Sequence, residues 1–120
     1  MALSTTVQTE TTVVIRESAA THVSTNDVFG GPKRLTHVRI HNASAQRVFV
    51  KLYDALDVDE SSLPVPLMIL SMPANTDRAR PVGNGGYSFT TGVTLRCVRE
   101  AGDAGSTAPS SSVIVDLTGE

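Results

Sequence analysis

The chain has 120 residues, with 10 Lys and Arg against 12 Asp and Glu, a formal net charge of −2, 40% hydrophobic and 4% aromatic residues, and one cysteine. That length suits one domain, which can bury roughly two-thirds of its unfolded surface without a metal or disulfide staple. The balanced charge argues against a dedicated nucleic-acid binder, the single Cys97 rules out an intrachain disulfide, and no run reaches the roughly 18 apolar residues of a membrane helix.

In chain order, residues 1–12 are polar and rich in Thr, and read as an N-terminal arm or as a strand in search of a partner. They carry neither the basic start nor the apolar run of a secretory leader, so synthesis in the cytoplasm is expected. Residues 12–16 (TVVIR) form a short strand candidate and 22–29 a weaker one, closed by Gly30-Gly31-Pro32. Residues 35–43 (LTHVRIHNA) put Val38 and Ile40 on one face, with His37, Arg39 and His41 on the other. Residues 46–54 (QRVFVKLYD) put Val48, Val50 and Leu52 on one face, with Phe49, Lys51 and Tyr53 on the other. This period of two is the mark of half-buried strands, and the link at 43–45 is short enough to join them as an antiparallel hairpin.

Residues 54–66 are acidic, then proline-bearing, and make the longest loop. Residues 67–72 are an apolar run between Pro66 and Pro73 and read as a strand; 76–80 read as a polar edge strand. A turn cluster at 81–86 (PVGNGG) precedes 87–89 and 93–99, expected to be one strand interrupted at Thr91-Gly92 by a bulge. A small-residue loop at 100–112 leads to a closing strand at 112–117 (SVIVDL). No segment carries a helical apolar stripe. The expected fold is a single-domain, all-β antiparallel sandwich, jelly-roll or Ig-like, over residues 13–120 with a polar arm at 1–12.

No constellation for catalysis emerges. His37 and His41 lie about 13 Å apart on a strand, too far for one zinc ion. Asp54, Asp57, Asp59 and Glu60 lack the spacing and central Gly of a calcium loop, which leaves a cation- or carbohydrate-binding module as a minor alternative. Gly83, Gly85 and Gly86 precede a strand rather than a helix, so they form a turn and not a phosphate cradle. Cys97 shares the apolar face of its strand with Val93 and Leu95 and reads as an inert packing residue. The expectation is therefore no enzyme, no cofactor and no metal site. Arg39 and Lys51 can share one sheet face as a docking patch, and a plain solvated face is an equal reading. Phe49 and Tyr53, beside Lys51, need cover from a second layer, a long loop or another subunit.

The segment V-F-V-K-L-Y-D-A at 48–55, the proline-bounded PLMILSMP, G-Y-S-F-T-T-G-V-T-L at 86–95, the A-G-D-A-G-S-T-A-P loop and the closing V-I-V-D-L follow one another in an order that resembles small structural proteins of tailed bacteriophages. The likeness spans roughly residues 35–118. It implies a capsid decoration (cement) protein on the virion surface, bound to the major capsid protein and forming a homo-oligomer, with a trimer favoured; the alternative is a head–tail connector, tail or fibre component. Neither nucleic acid nor membrane is an expected partner. The interface residues expected on this reading are Thr5, Thr6 and Val7 of the arm, able to add a strand to a neighbour's sheet edge, with Arg39, Phe49, Lys51 and Tyr53.

Overall fold

Nine strands form in the computed structural model, which describes residues 3–7 and 12–120. They are β1 (Leu3–Val7), β2 (Val13–Glu17), β3 (Lys33–Asn42), β4 (Val48–Asp54), β5 (Met68–Met72), β6 (Thr76–Pro81), β7 (Tyr87–Phe89), β8 (Val93–Val98) and β9 (Val113–Gly119). All pairings are antiparallel. One sheet runs β1-β2-β9-β3-β6, with β7 beside β6 on the same side of β3; the other runs β5-β4-β8. Residues 21–28 extend the second sheet: Thr25 exchanges backbone bonds with Leu95, Val28 donates to Val93 and Cys97 donates to Thr21.

With that segment counted, the sheets read β2-β9-β3-β6 and (21–28)-β8-β4-β5. Each is built from the same two ribbons, β3/β4 laid against β5/β6 and β2/(21–28) laid against β8/β9, folded across both sheets. This interleaving is a jelly roll, a double-sheet architecture that leaves few strand edges open. The core lies between the sheets. Ile15, Val38, Ile40, Val115 and Leu117 face Val50, Leu52, Met72, Val93, Leu95 and Cys97, all buried. Each fully buried aliphatic side chain contributes about 1.5–3 kcal/mol, so these alternating positions dominate the stability of the domain.

The expected β3–β4 hairpin is not what forms. The two strands belong to different sheets, and the link between them crosses the sandwich. Its corner is made by Asn42, which has no exposed surface. The side-chain N–H groups donate to the carbonyls of Gln46, Pro73 and Met72 at 2.8, 3.0 and 3.2 Å, and its oxygen accepts from Ser44 N and Oγ at 3.0 and 2.6 Å. Buried backbone groups must find partners, and Asn42 supplies them at the point where no ladder can. Asn75 N donates to Ser44 O, so the β3–β4 and β5–β6 corners are fastened to each other.

The expected bulge at Thr91-Gly92 is likewise a crossing: β7 pairs with β3 and β8 with β4. Asp54 anchors it, accepting from Thr90 N and Oγ1, Thr91 N and Gly92 N. Burial by itself would raise the Asp54 carboxyl, but the N–H groups of Thr91 and Thr90 outweigh it and hold the carboxyl below its ordinary value. A third crossing, from β2 to residues 21–28, is tied by buried Glu17, which accepts from Thr25 Oγ1 at 2.6 Å and Ala19 N at 3.1 Å.

The register does shift at another place, between Leu35 and His37. Because of it, odd-numbered Leu35 and even-numbered Val38 both reach the core. Of the expected arm, residues 1, 2 and 8–11 lie outside the described residues. Residues 3–7 are β1, which joins its own chain's sheet with Thr5 opposite Ile15.

Candidate protein-binding surfaces

The outer face of the smaller sheet carries Phe49, Lys51 and Tyr53 of β4 beside Arg96 and Val98 of β8, with Lys51 directly opposite Arg96. Alternation alone would leave these side chains in water, yet every residue of β8 is buried, as are Lys51 and Tyr53, while Phe49 is half-buried. The cover is the chain's own β8–β9 loop. Lys51 Nζ donates to Gly102 O. Arg96 donates through Nε to His22 O at 2.7 Å, through Nη2 to Gly105 O at 3.2 Å and through Nη1 to Tyr53 Oη at 3.3 Å. The loop holds itself over the face through Glu100, whose Oε1 accepts from Thr107 N at 2.9 Å, and through Arg99 N, which donates to Thr107 O. Two cations thus sit side by side under a strap of backbone carbonyls. Burial, and after it the adjacent Arg96 guanidinium, lower the Lys51 ammonium below its ordinary value.

A patch shared by Arg39 and Lys51 therefore does not form, because the two residues lie in different sheets. Arg39 is on the outer face of the larger sheet, in a row of alternating charge. Arg16, Asp116 and Arg39 stand side by side across β2, β9 and β3. Arg16 grips Asp116 with Nε and Nη2 at 2.8 and 2.9 Å; Arg39 grips Asp77 of β6 at 2.9 and 2.6 Å, and His41 Nδ1 lies 3.3 Å from the same carboxylate. The hydrogen bonds from Arg39 keep the Asp77 carboxyl below its ordinary value. Exposed pairs of this kind contribute about 0–1 kcal/mol each, and a row that neutralises itself offers little net field to a partner.

The acidic stretch is dispersed into turns. Asp54 faces residues 90–92, Asp59 accepts from Ser61 N and Oγ, and Glu60 accepts from Ser24 N and Oγ at 2.8 and 2.9 Å. Among the described residues no group of three or more His, Cys, Asp or Glu side chains is placed to hold a metal ion. His37 and His41 have separate neighbours, Thr36 and Asp77. The 82–86 turn runs directly into β7.

Cys97 has no exposed surface, and burial pushes its thiol up to about 12. A thiol-specific disulfide reagent is expected to leave the native protein unmodified at neutral pH and to modify one equivalent after unfolding in urea; rapid reaction of the native protein would contradict this burial.

Exposed apolar side chains gather elsewhere. β5 is the outermost strand of its sheet. Along it and the approach to it, Val65, Leu67 and Ile69 occupy alternate positions and are 76%, 41% and 39% exposed, with Leu56 of the same β4–β5 connection 53% exposed. Leu67 N donates to Leu52 O, so pairing with β4 begins ahead of β5 itself. On the opposite side of the molecule's strand order, β1 is the outermost strand of the larger sheet, with Leu3 and Thr5 exposed; of Thr6 and Val7 only the backbone is described.

Comparison with known proteins finds no matching family model, curated protein or solved structure.

Of the residues expected at an interface, Arg39 and Thr5 are exposed, Phe49 is half-buried, and Lys51 and Tyr53 are enclosed by their own chain. Val65, Leu67 and Ile69 are spaced two apart in the sequence, but the continuous apolar run at 67–72, read there only as a strand, does not tell which of its residues face solvent. An outermost strand with a one-sided apolar row is the surface best suited to a protein neighbour.

Proposed function

We propose that this chain is a non-catalytic virion structural protein that binds the outside of a tailed-phage capsid and stabilises it, docking through the β5 edge. The observation that carries the docking role is the exposed row of Val65, Leu67 and Ile69 on an outermost strand. An edge strand supplies unpaired backbone groups, a neighbouring extended segment can continue the sheet there, and the row supplies apolar area to bury. The charged side chains on the sheet faces support the same reading: Arg16, Asp116, Arg39 and Asp77 on the outer face of the larger sheet neutralise one another, and Lys51 and Arg96 are enclosed. The sealed Cys97 thiol supports a role without nucleophilic chemistry.

The capsid as the partner rests on the resemblance of roughly residues 35–118, above all 48–55 and 81–117, to small phage structural proteins. Jelly rolls also occur in viral capsid and lectin domains, a likeness of architecture that by itself assigns no role. A stable contact between subunits of ordinary size buries about 1,200–2,000 Å². Repeated around a shell, and as a trimer at local three-fold positions, contacts of that size add up through multivalency. Purified protein added to undecorated capsids is expected to appear as regularly spaced extra density on the outer surface in cryo-electron microscopy. Antibody label confined to the tail would overturn the capsid site in favour of a connector, tail or fibre component.

A further inference from the structure

The chain has four asparagines, at positions 26, 42, 75 and 84, and only Asn84 precedes a glycine. It stands in the turn between β6 and β7, exposed, with left-handed glycines on both sides: Gly83 at φ 57°, Gly85 at φ 89° and Gly86 at φ 96°. A Cβ built on Gly85 would meet nothing within 4 Å, so the residue after Asn84 is open to solvent beside its Cα. Among the described residues no hydrogen bond engages the Asn84 amide or the Gly85 N–H.

We infer that Asn84-Gly85 is a site of spontaneous covalent modification, at which the asparagine converts to aspartate and isoaspartate in the folded protein. The Gly85 amide, having given its proton to hydroxide, attacks the Asn84 side-chain carbonyl carbon. A C–N bond forms to the backbone nitrogen, the bond to the side-chain nitrogen breaks, and ammonia leaves. The five-membered imide is then opened by water at either carbonyl, giving the normal or the isomerised linkage; the sum is one amide and one water converted to one carboxyl and one ammonia. Nothing is oxidised or reduced.

The other three asparagines show why the reaction is selective. The nitrogen that would attack Asn26 belongs to Asp27 and donates to Thr94 Oγ1 at 3.1 Å. Asn42 is buried, with both ends of its amide engaged in the corner between the sheets. Asn75 is followed by β-branched Thr76 at the start of β6, in register with Asn42. Only the 82–86 turn leaves electrophile and nucleophile free to meet, because glycine there removes both the steric block and the conformational penalty.

The product adds a negative charge to a surface that also carries Arg34, His37 and Glu120, and the isomerised form adds a methylene to the turn backbone. β7 remains anchored by buried Phe89, and the β5 edge lies in the other sheet, so the change marks the age of the chain without removing its proposed docking row.

The test is incubation of the whole native protein in ¹⁸O water at mildly alkaline pH, followed by tryptic mapping. Residues 79–96 form one tryptic peptide in which Asn84 is the sole amide side chain. That peptide is expected to gain the amide-to-carboxyl mass difference with one labelled oxygen, at a rate roughly tenfold or more above the peptide carrying Asn75, the gap that about 1.4 kcal/mol of barrier produces. An isoaspartyl methyltransferase should label it, and Asn84→Gln, which would need a six-membered ring, should abolish the change with the far-ultraviolet spectrum retained. Equal rates for the two peptides, or conversion that persists elsewhere in Asn84→Gln at the same total yield, would overturn the assignment.

Discussion

Asn42→Ala is expected to lower the unfolding free energy by about 3–4 kcal/mol, near the upper end for a single substitution. The side chain is fully buried, and its loss leaves the carbonyls of Met72 and Pro73 and the Ser44 N–H without the amide they now share, while the Gln46 carbonyl keeps only the bond from Ser44 Oγ at 2.9 Å. A single unsatisfied buried group costs about 1–3 kcal/mol, and relaxation of the corner toward water offsets part of the sum. Asn42→Asp keeps the shape but cannot donate to the three carbonyls, so it should be at least as damaging as the truncation at neutral pH. Urea denaturation followed by circular dichroism measures both. A midpoint for Asn42→Ala close to that of the wild type would mean that the β3–β4 corner is held by something other than this side chain.

The strapped cations should respond unequally. Arg96→Met removes the donors to His22 O, Gly105 O and Tyr53 Oη from a closed site, and is expected to cost about 3 kcal/mol. Lys51→Met deletes one charge of a buried like-charged pair, keeps most of the apolar stem, and frees only the carbonyl of Gly102, an exposed loop residue. Replacing buried charge by apolar volume is often neutral or stabilising, so the expectation is a change between zero and about 1 kcal/mol in favour of the variant. The pH dependence carries a further signature. Burial and Arg96 lower the Lys51 pKa below its ordinary 10.5. As pH rises, the folded chain therefore releases this proton before the unfolded chain does, and the unfolded state binds more protons across that window. Wild-type stability relative to Lys51→Met should then rise with pH up to about the ordinary lysine value. A difference that stays flat with pH would show that Lys51 is not confined under the loop.

The pattern of apolar residues made most of this fold legible. Val38 and Ile40, Val48 to Leu52, Val93 to Cys97 and Val113 to Leu117 all alternate, and the apolar face of each lies in the core, although β8 and most of β4 are covered on the other face as well. What alternation does not report is which sheet a strand joins. A short link between two such strands serves a hairpin or a crossing equally well; here the decision falls to Asn42, whose carbonyl partners at Met72 and Pro73 lie some 30 residues along the chain. Residue 35 is out of phase with 38 and 40, and only a bulge brings all three to the core, a backbone event with no side-chain period to announce it.

The candidate surfaces were harder to read. Phe49, Lys51 and Tyr53 occupy the outward face of β4 as the alternation requires, and the need for cover was visible in their size. That the cover is the glycine- and serine-rich loop after β8 was not, because such a loop has no periodicity and its contacts are made by carbonyls rather than side chains. The charge row on the larger sheet depends on the same hidden information. Arg16, Arg39, Asp77 and Asp116 are scattered through the sequence and become neighbours only once β2, β9, β3 and β6 lie side by side.

Docking through the free β5 edge is tested most directly by cosedimentation of undecorated capsids with the wild type and with a Leu67→Glu, Ile69→Glu double variant, whose acidic side chain at 69 stands opposite Lys51 rather than repelling it. Both positions are outward and exposed, so the variant should keep its circular dichroism and its urea midpoint within about 0.5 kcal/mol. The wild type is expected to pellet with the capsids and the double variant to stay in the supernatant. Equal pelleting of the two would contradict docking through this edge.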